Sequence, residues 1–431
     1  MYDIDKFPNE TVEFLTKKQG FIVDEFFDKN ILGRTTQDDD TSSIKNIYQN
    51  IIHNICIGDI DKTLKIYMEL SELYIKLHIP YITLLNEQSH LKHIIIELLI
   101  SYDRKDDVIS IYKFTRLSEN TIAKEYLQVY TNTLISMCNN RLSSLGDMVE
   151  KFVVEHYADH LKWLVSLSKG IQDFKIDKFP QTDKTLCEFG VWLITDAKQV
   201  IKNNSKLKEL DKIHSQLHYI SLQIKHILLD DINEYDVLLT YLEKAELLSL
   251  SIGTELALID NTIINQKATK DTLTGALGRQ VLEQLFQNQY ELSFATNTNF
   301  VIAICDLDHF KNINDTYGHI YGDKMLKNFV TIVKDNIRTS DIVIRYGGEE
   351  FILILPAIEK VKALNVLEKI RRSFEEFELI EKKNIIKTTV SIGMLEIEPK
   401  EGYNKKMIDQ YIDNADSNLY KAKQNGRNNI K

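Results

Sequence analysis

The chain has 431 residues, a formal charge of −10, 43% hydrophobic and 27% charged residues, which suits two or three soluble units at roughly 150 residues each. The acidic balance argues against a general nucleic-acid or anionic-membrane surface, although a local phosphate site remains open. No uninterrupted apolar run reaches the roughly 18 residues of a bilayer span, and Cys56, Cys138, Cys187 and Cys305 are scattered as free thiols or metal ligands would be, so no membrane span and a cytoplasmic location are expected.

In chain order, glycine and proline are sparse before about residue 270, and stretches such as Leu64 to Leu73 and His93 to Ile100 carry helix-period apolar positions. The first two-thirds therefore reads as all-helical. Asn139 to Gly146 collects turn and capping residues and places a boundary near 141–150, giving a first helical module over 1–145. The segment from Tyr74 to Pro80, with Leu84 to Leu99 after it, resembles the haem-proximal region of sensor globins. Tyr74 falls where that family has its iron-binding histidine, so a sensing or dimerisation module without haem is expected.

Next come Asp159-His160-Leu-Lys-Trp163, Leu186-Cys187-Glu-Phe-Gly-Val-Trp192 and His214-Ser-Gln-Leu-His218, in three successive helical segments. His214 and His218 lie four apart, so one helix face presents both imidazoles. Thiolate and imidazole together favour zinc over magnesium or calcium. A solvated face is the alternative for the histidine pair alone, and His156, one turn before His160, is a rival ligand. The set resembles the chemoreceptor zinc-binding domain, a four-helix bundle with a three-histidine, one-cysteine site. That resemblance implies His160, Cys187, His214 and His218 as zinc ligands in a bundle over 146–268. The stretch Asn233 to Gln266, with Leu238, Leu239, Leu242, Leu247 and Leu250 for packing, reads as a coupling helix or simply the last bundle helix.

After Lys270 strands alternate with helices, the pattern of an α/β domain over 269–431. Phe300 to Cys305 reads as a buried strand whose end presents Asp306 and Asp308, and Ile342 to Tyr346 and Phe351 to Leu355 as a hairpin turning at Gly-Gly-Glu-Glu. Carboxylates beside side-chain-free glycines suit magnesium holding phosphates.

Asp271-Thr-Leu-Thr-Gly275, Asp306 to His319, Arg345 to Phe351 and Leu419 to Asn428 together resemble the diguanylate cyclase family, the GGDEF domains, in a Gly-Gly-Glu-Glu-Phe spelling. The resemblance implies a central, mostly antiparallel sheet. It implies Mg2+ or Mn2+ on Asp306, Glu349 and the Leu307 carbonyl, and guanine contacts from Asn314 and Asp323 with His319 also at the substrate. Lys311 lies near the phosphates in this comparison, while Lys423 and Arg427, four apart on a terminal helix, grip the triphosphate. Glu349, with Glu350 second, would take the hydroxyl proton. Arg338 and Asp341 match the family's Arg-x-x-Asp product-inhibition site, a surface ion pair being the plainer reading.

The implied reaction joins two GTP into cyclic di-GMP and two pyrophosphates in a homodimer. A zinc bundle before such a domain is similar to the zinc-responsive diguanylate cyclases, in which zinc suppresses activity. A catalytically silent receptor for GTP or cyclic di-GMP is the alternative.

Overall fold

A computed structural model describes residues 6–28, 38–77, 79–148, 152–230, 234–381 and 384–431. His78, inside the globin-like segment, and residues 149–151, at the end of the expected boundary, lie outside them. Ten helices open the described chain: α1 Asn9–Asp28, α2 Asp38–Ile57, α3 Ile60–Lys76, α4 Tyr81–Ser101, α5 Lys105–Asp147, α6 Tyr157–Asp173, α7 Glu188–Thr195, α8 Ala197–Val200, α9 Asn204–Leu229 and α10 Tyr235–Lys267. Strands then alternate with helices: β1 Leu277–Gly278, α11 Leu282–Thr296, β2 Phe300–Leu307, α12 Phe310–Tyr317, α13 His319–Asn336, β3 Ile342–Arg345, β4 Glu350–Leu355, α14 Lys360–Glu376, β5 Leu379–Glu381, β6 Asn384–Ile386, β7 Val390–Ile397 and α15 Lys406–Gln424. The chain forms two compact units, one of residues 1–135, 166–180 and 220–245, the other of 136–165, 181–219 and 246–431.

In the first unit Leu15, Ile22, Phe26, Ile51, Leu70, Leu84 and Leu91 fill a helical core. Tyr74, at the place the globin comparison gives to an iron ligand, donates its hydroxyl to buried Glu87 at 2.6 Å, and Tyr48 does the same. Burial raises the Glu87 carboxyl above its ordinary range.

The second unit holds both chemical constellations. Its five-stranded sheet runs β1-β3-β4-β2-β7, parallel between β1 and β3 and antiparallel elsewhere, so it is mixed and mostly antiparallel as expected. Interior strand β2, between β4 and β7, is buried along its whole length because both faces are covered. Val301, Ala303 and Cys305 pack with α13 and α14, whereas Phe300, Ile302 and Ile304 pack with α11 and α15, the period-two alternation of a strand. Helix α15 crosses β7 so closely that a Cβ on Gly393 would lie 2.2 Å from the Ala415 carbonyl oxygen.

Two sequence expectations concern α5 and α10. The polar run 139–146 forms the last two turns of α5, which ends at Asp147, inside the 141–150 range expected for a boundary. Its polar groups also make tertiary contacts, with Arg141 reaching Glu246 at 3.3 Å and Ser144 donating to the Glu291 carbonyl at 3.2 Å. On α10, Leu238, Leu239 and Leu242 are buried, but Leu247 is 64% exposed.

By length and composition alone α10 could cross a membrane, a test that a core helix also passes. Here it buries Asp260, whose carboxylate accepts the backbone N–H groups of Phe152 at 3.0 Å, Val153 at 2.6 Å and Val154 at 3.4 Å. A carboxylate spent on capping the start of a neighbouring segment belongs to packing within protein.

Candidate metal and nucleotide sites

The first constellation gathers on α6, the start of α7, and α9. Donor atoms of Cys187, His214 and His218 lie within 4.8 Å of one another, and all three side chains are buried. Cys187 is not inside a helix: it is the N-cap of α7, its sulfur accepting the Gly190 N–H at 3.2 Å. That sulfur sits 3.2 Å from His214 Nε2. His218 Nδ1 lies 3.0 Å from the Thr182 carbonyl, so a proton there leaves Nε2 as the ligand nitrogen.

His160 on α6 stacks edge-on with His214 at 5.2 Å, and both its ring nitrogens are buried with no hydrogen-bond partner among the described residues. Such a group is costly unless something receives a nitrogen lone pair. Burial drives the His160, His214 and His218 imidazoles down in pKa, His214 to about 3, which keeps them neutral as metal ligands must be. A buried thiol with three neutral imidazoles therefore fits zinc. Neither the expected ligand His160 nor its rival His156 is within the close group formed by Cys187, His214 and His218; His156 stacks on Trp192 at 4.1 Å, whereas His160 lies against His214.

The second constellation lies at the end of β2. The β3–β4 pair forms the expected hairpin, with the Tyr346 and Gly347 N–H groups donating to the Glu350 carbonyl at 2.9 and 3.2 Å. Asp306 pairs in register with Glu350, and the Leu307 N–H donates to the Glu349 carbonyl at 3.3 Å, so the turn lies against the strand end. Burial pushes the Asp306 carboxyl up, while Lys423, its ammonium 2.9 Å away, pulls it back. Glu349 is also raised, by burial first and then by Asp306. Two adjoining carboxylates, one already answered by an ammonium, fit a divalent cation.

Asp308, expected to share that presentation, is spent otherwise. Its carboxylate accepts from Thr389 and Ser391 hydroxyls at 2.7 Å and from the Asn428 N–H at 3.1 Å, tying β2, β7 and the C-terminal turn together. Arg427 is not on the terminal helix, which ends at Gln424; it has a left-handed backbone, φ 63°, and lies 3.9 Å from Asp308. Asn314 on α12 touches Gly322 of α13, where a Cβ would come 2.1 Å from its Oδ1, and His319 and Asp323 are exposed on α13. Lys311 is exposed on α12, and Glu350 folds its carboxylate toward Gly347.

Arg338 and Asp341 are not joined as a side-chain pair. The Asp341 carboxylate accepts the Arg338 backbone N–H at 2.7 Å and closes its own turn. Its carboxyl is raised by burial to about 6. The Asn265 amide of α10 donates to the Thr339 and Asp341 carbonyls at 3.1 and 2.9 Å, holding that turn from outside.

Sequence reasoning missed the groups that position others. Arg345 reaches Asp271 at 3.2 Å and donates to the Gly348 carbonyl at 2.9 Å, bracing the glycine turn from the opening motif. Gly190 and Gly322 are further examples, and the available signal was glycine within helical texture in a chain with only 16 glycines.

A strand-end carboxylate pair beside a glycine turn is preceded in the chain by a buried thiol and imidazole cluster. Residues 268–429 match the diguanylate cyclase GGDEF domain and residues 160–225 the chemoreceptor zinc-binding domain; the chain carries both. It is similar to "Diguanylate cyclase DgcZ" of Escherichia coli K12, 29% identical over 274 residues, covering 62% of this chain and 88% of that protein. "Diguanylate cyclase DosC" of the same strain is 24% identical over 380 residues, covering 87% and 81%. Among solved structures, the GGDEF domain of DgcB from Caulobacter crescentus in complex with c-di-GMP is 29% identical, covers 38% of this chain and 92% of that one, and has a TM-score of 0.35.

Proposed function

We propose that the protein is a homodimeric, cytoplasmic diguanylate cyclase over 269–431, regulated by zinc in a bundle over 146–268, with a helical module at 1–145 preceding it. The observation that carries this reading is the meeting of Asp306, Lys423 and the Gly347–Glu350 turn at one strand end. Asp306, Glu349 and the Leu307 carbonyl would hold magnesium or manganese, which when bound would supply positive charge to phosphate oxygens and the leaving pyrophosphate. Asn314 and Asp323 read the guanine edge, one as amide and one as acceptor, with His319 beside them. Lys311, Lys423 and Arg427 hold phosphates by charge-assisted bonds.

In the reaction each GTP 3′-oxygen forms a bond to the α-phosphorus of the other nucleotide, and the bond to the β-phosphate oxygen breaks, releasing pyrophosphate. Glu349 receives the hydroxyl proton, with Glu350 next in line. One domain holds one GTP, so two must face each other. Zinc on His160, Cys187, His214 and His218 ties three segments of the helical domain together; restricting their motion would hold the cyclase domains in an unproductive arrangement. Product bound at Arg338 and Asp341 would act in the same sense.

The test is direct. Purified protein given GTP and magnesium forms cyclic di-GMP, and the rate rises when a chelator strips zinc and falls when zinc returns. Absence of product under both conditions would leave the silent receptor as the better account. Activity indifferent to zinc would remove the regulatory half alone.

A further inference from the structure

Three residues in a row after α15 have left-handed backbones: Gly426 at φ 96°, Arg427 at 63° and Asn428 at 47°. Glycine takes that conformation freely, whereas a residue with a Cβ is disfavoured in it. Arg427 and Asn428 are the only adjacent non-glycine pair so placed among the described residues, and they stay there because neighbouring groups hold them. Part of that hold is local: the Arg427 N–H and the Asn429 side-chain amide both donate to the Ala422 carbonyl of α15, at 3.2 and 2.8 Å. The rest passes through Asn428. Its N–H donates to Asp308 at 3.1 Å, its amide oxygen accepts from Arg371 of α14 at 2.7 Å, and its amide nitrogen donates to Glu375 of α14 at 2.7 Å. Arg371 is itself fixed by Glu368 and Glu375, each at 2.8 Å, so the clamp on Asn428 is braced along the helix.

The consequence falls on the neighbouring side chain. Arg427 lies 3.9 Å from Asp308, and one turn of chain earlier Lys423 meets Asp306 at 2.9 Å, so both cations stand at the end of β2. A right-handed backbone at 427 would re-aim the guanidinium. We propose that Asn428, clamped by Arg371 and Glu375, is a positioning residue that fixes the left-handed turn and thereby aims Arg427 at the phosphates of the bound nucleotide. This rests on the reading of Arg427 as a phosphate ligand; the part played by Asn428 and α14 does not follow from that reading. Helix α14, which carries no substrate contact of its own in that reading, becomes a support of the triphosphate grip.

Titration calorimetry on the full chain with magnesium and 3′-deoxy-GTP, which lacks the attacking hydroxyl, tests this, and 3′-deoxy-GMP serves as the ligand without β- and γ-phosphates. Asn428→Gly keeps the left-handed backbone and removes the amide, Arg371→Ala removes the clamp from the α14 side, and thermal unfolding reports whether each variant retains its fold. Each is expected to weaken 3′-deoxy-GTP about five- to tenfold while 3′-deoxy-GMP stays within about twofold. Arg427→Ala should weaken 3′-deoxy-GTP at least about tenfold, and adding Asn428→Gly to it should cost less than about a further twofold, because the amide acts through the guanidinium. Unchanged 3′-deoxy-GTP affinity in either folded variant, equal losses for the two ligands, or an Asn428→Gly loss that adds in full to that of Arg427→Ala overturns the positioning role and leaves Arg427 on the phosphates. Unchanged affinity in Arg427→Ala removes the phosphate reading of that residue and the proposal with it.

Discussion

Gly190→Ala probes the zinc site without touching a ligand. A Cβ there would lie 1.7 Å from the Lys184 carbonyl oxygen and 3.0 Å from His214 Cε1, where an ordinary contact begins at 3.4 Å. The start of α7 and the Lys184 carbonyl must part by about 1.7 Å, and the carbonyl is backbone, with no rotamer to retreat into. Cys187 is bound to both sides of that gap, accepting from the Gly190 N–H at 3.2 Å and lying 3.5 Å from the Lys184 oxygen. Moving either side displaces the sulfur from its 3.2 Å approach to His214.

Overpacking of this kind costs about 1–3 kcal/mol of stability. Loss of an outer-shell support costs roughly 10–100-fold in metal affinity, about 1.4–2.8 kcal/mol. Competition against a chromogenic zinc chelator measures the affinity, with circular dichroism to monitor the fold. Gly20→Ala, where a Cβ meets nothing within 4 Å, is the control. A folded Gly190→Ala protein binding zinc within threefold of wild type would refute the reasoning.

Three further outcomes are expected. Glu349→Gln should lower the rate of cyclic di-GMP formation roughly 10²–10⁴-fold with the fold intact; a loss under tenfold would remove Glu349 as proton acceptor. Gly322→Ala drives a methyl against the Asn314 amide, and KM for GTP should rise about tenfold; an unchanged KM would dissociate Asn314 from guanine binding. Asp260 is pushed by burial up to about 6 from an ordinary 3.8, so its contribution favours the fold below pH 4 and is lost as pH rises through 6. The stability difference between wild type and Asp260→Asn should therefore shift by about 2–3 kcal/mol between pH 4 and 7 in urea unfolding; a pH-independent difference would show that the three backbone N–H groups offset the burial.

Local pattern was enough for much of this protein. The change from glycine-poor helical periodicity to alternating strands is a property of neighbouring residues, and α10 ending at Lys267 agrees with it. The apolar run at β2, the glycine hairpin and the i, i+4 histidine pair were legible for the same reason, since each is a short-range geometry dictated by backbone period.

Partner choice among polar groups was settled by tertiary structure. Nothing local distinguishes Asp306, left beside Lys423 at a strand end, from Asp308 two residues on, consumed by Thr389, Ser391 and Asn428. The same holds for Ser144 and Arg141 near the end of α5, whose partners, Glu291 and Glu246, lie far along the chain. His156 and His160 are one turn apart, yet one stacks on Trp192 and the other faces His214. A buried polar group must find a partner, and which one is within reach depends on how distant segments pack.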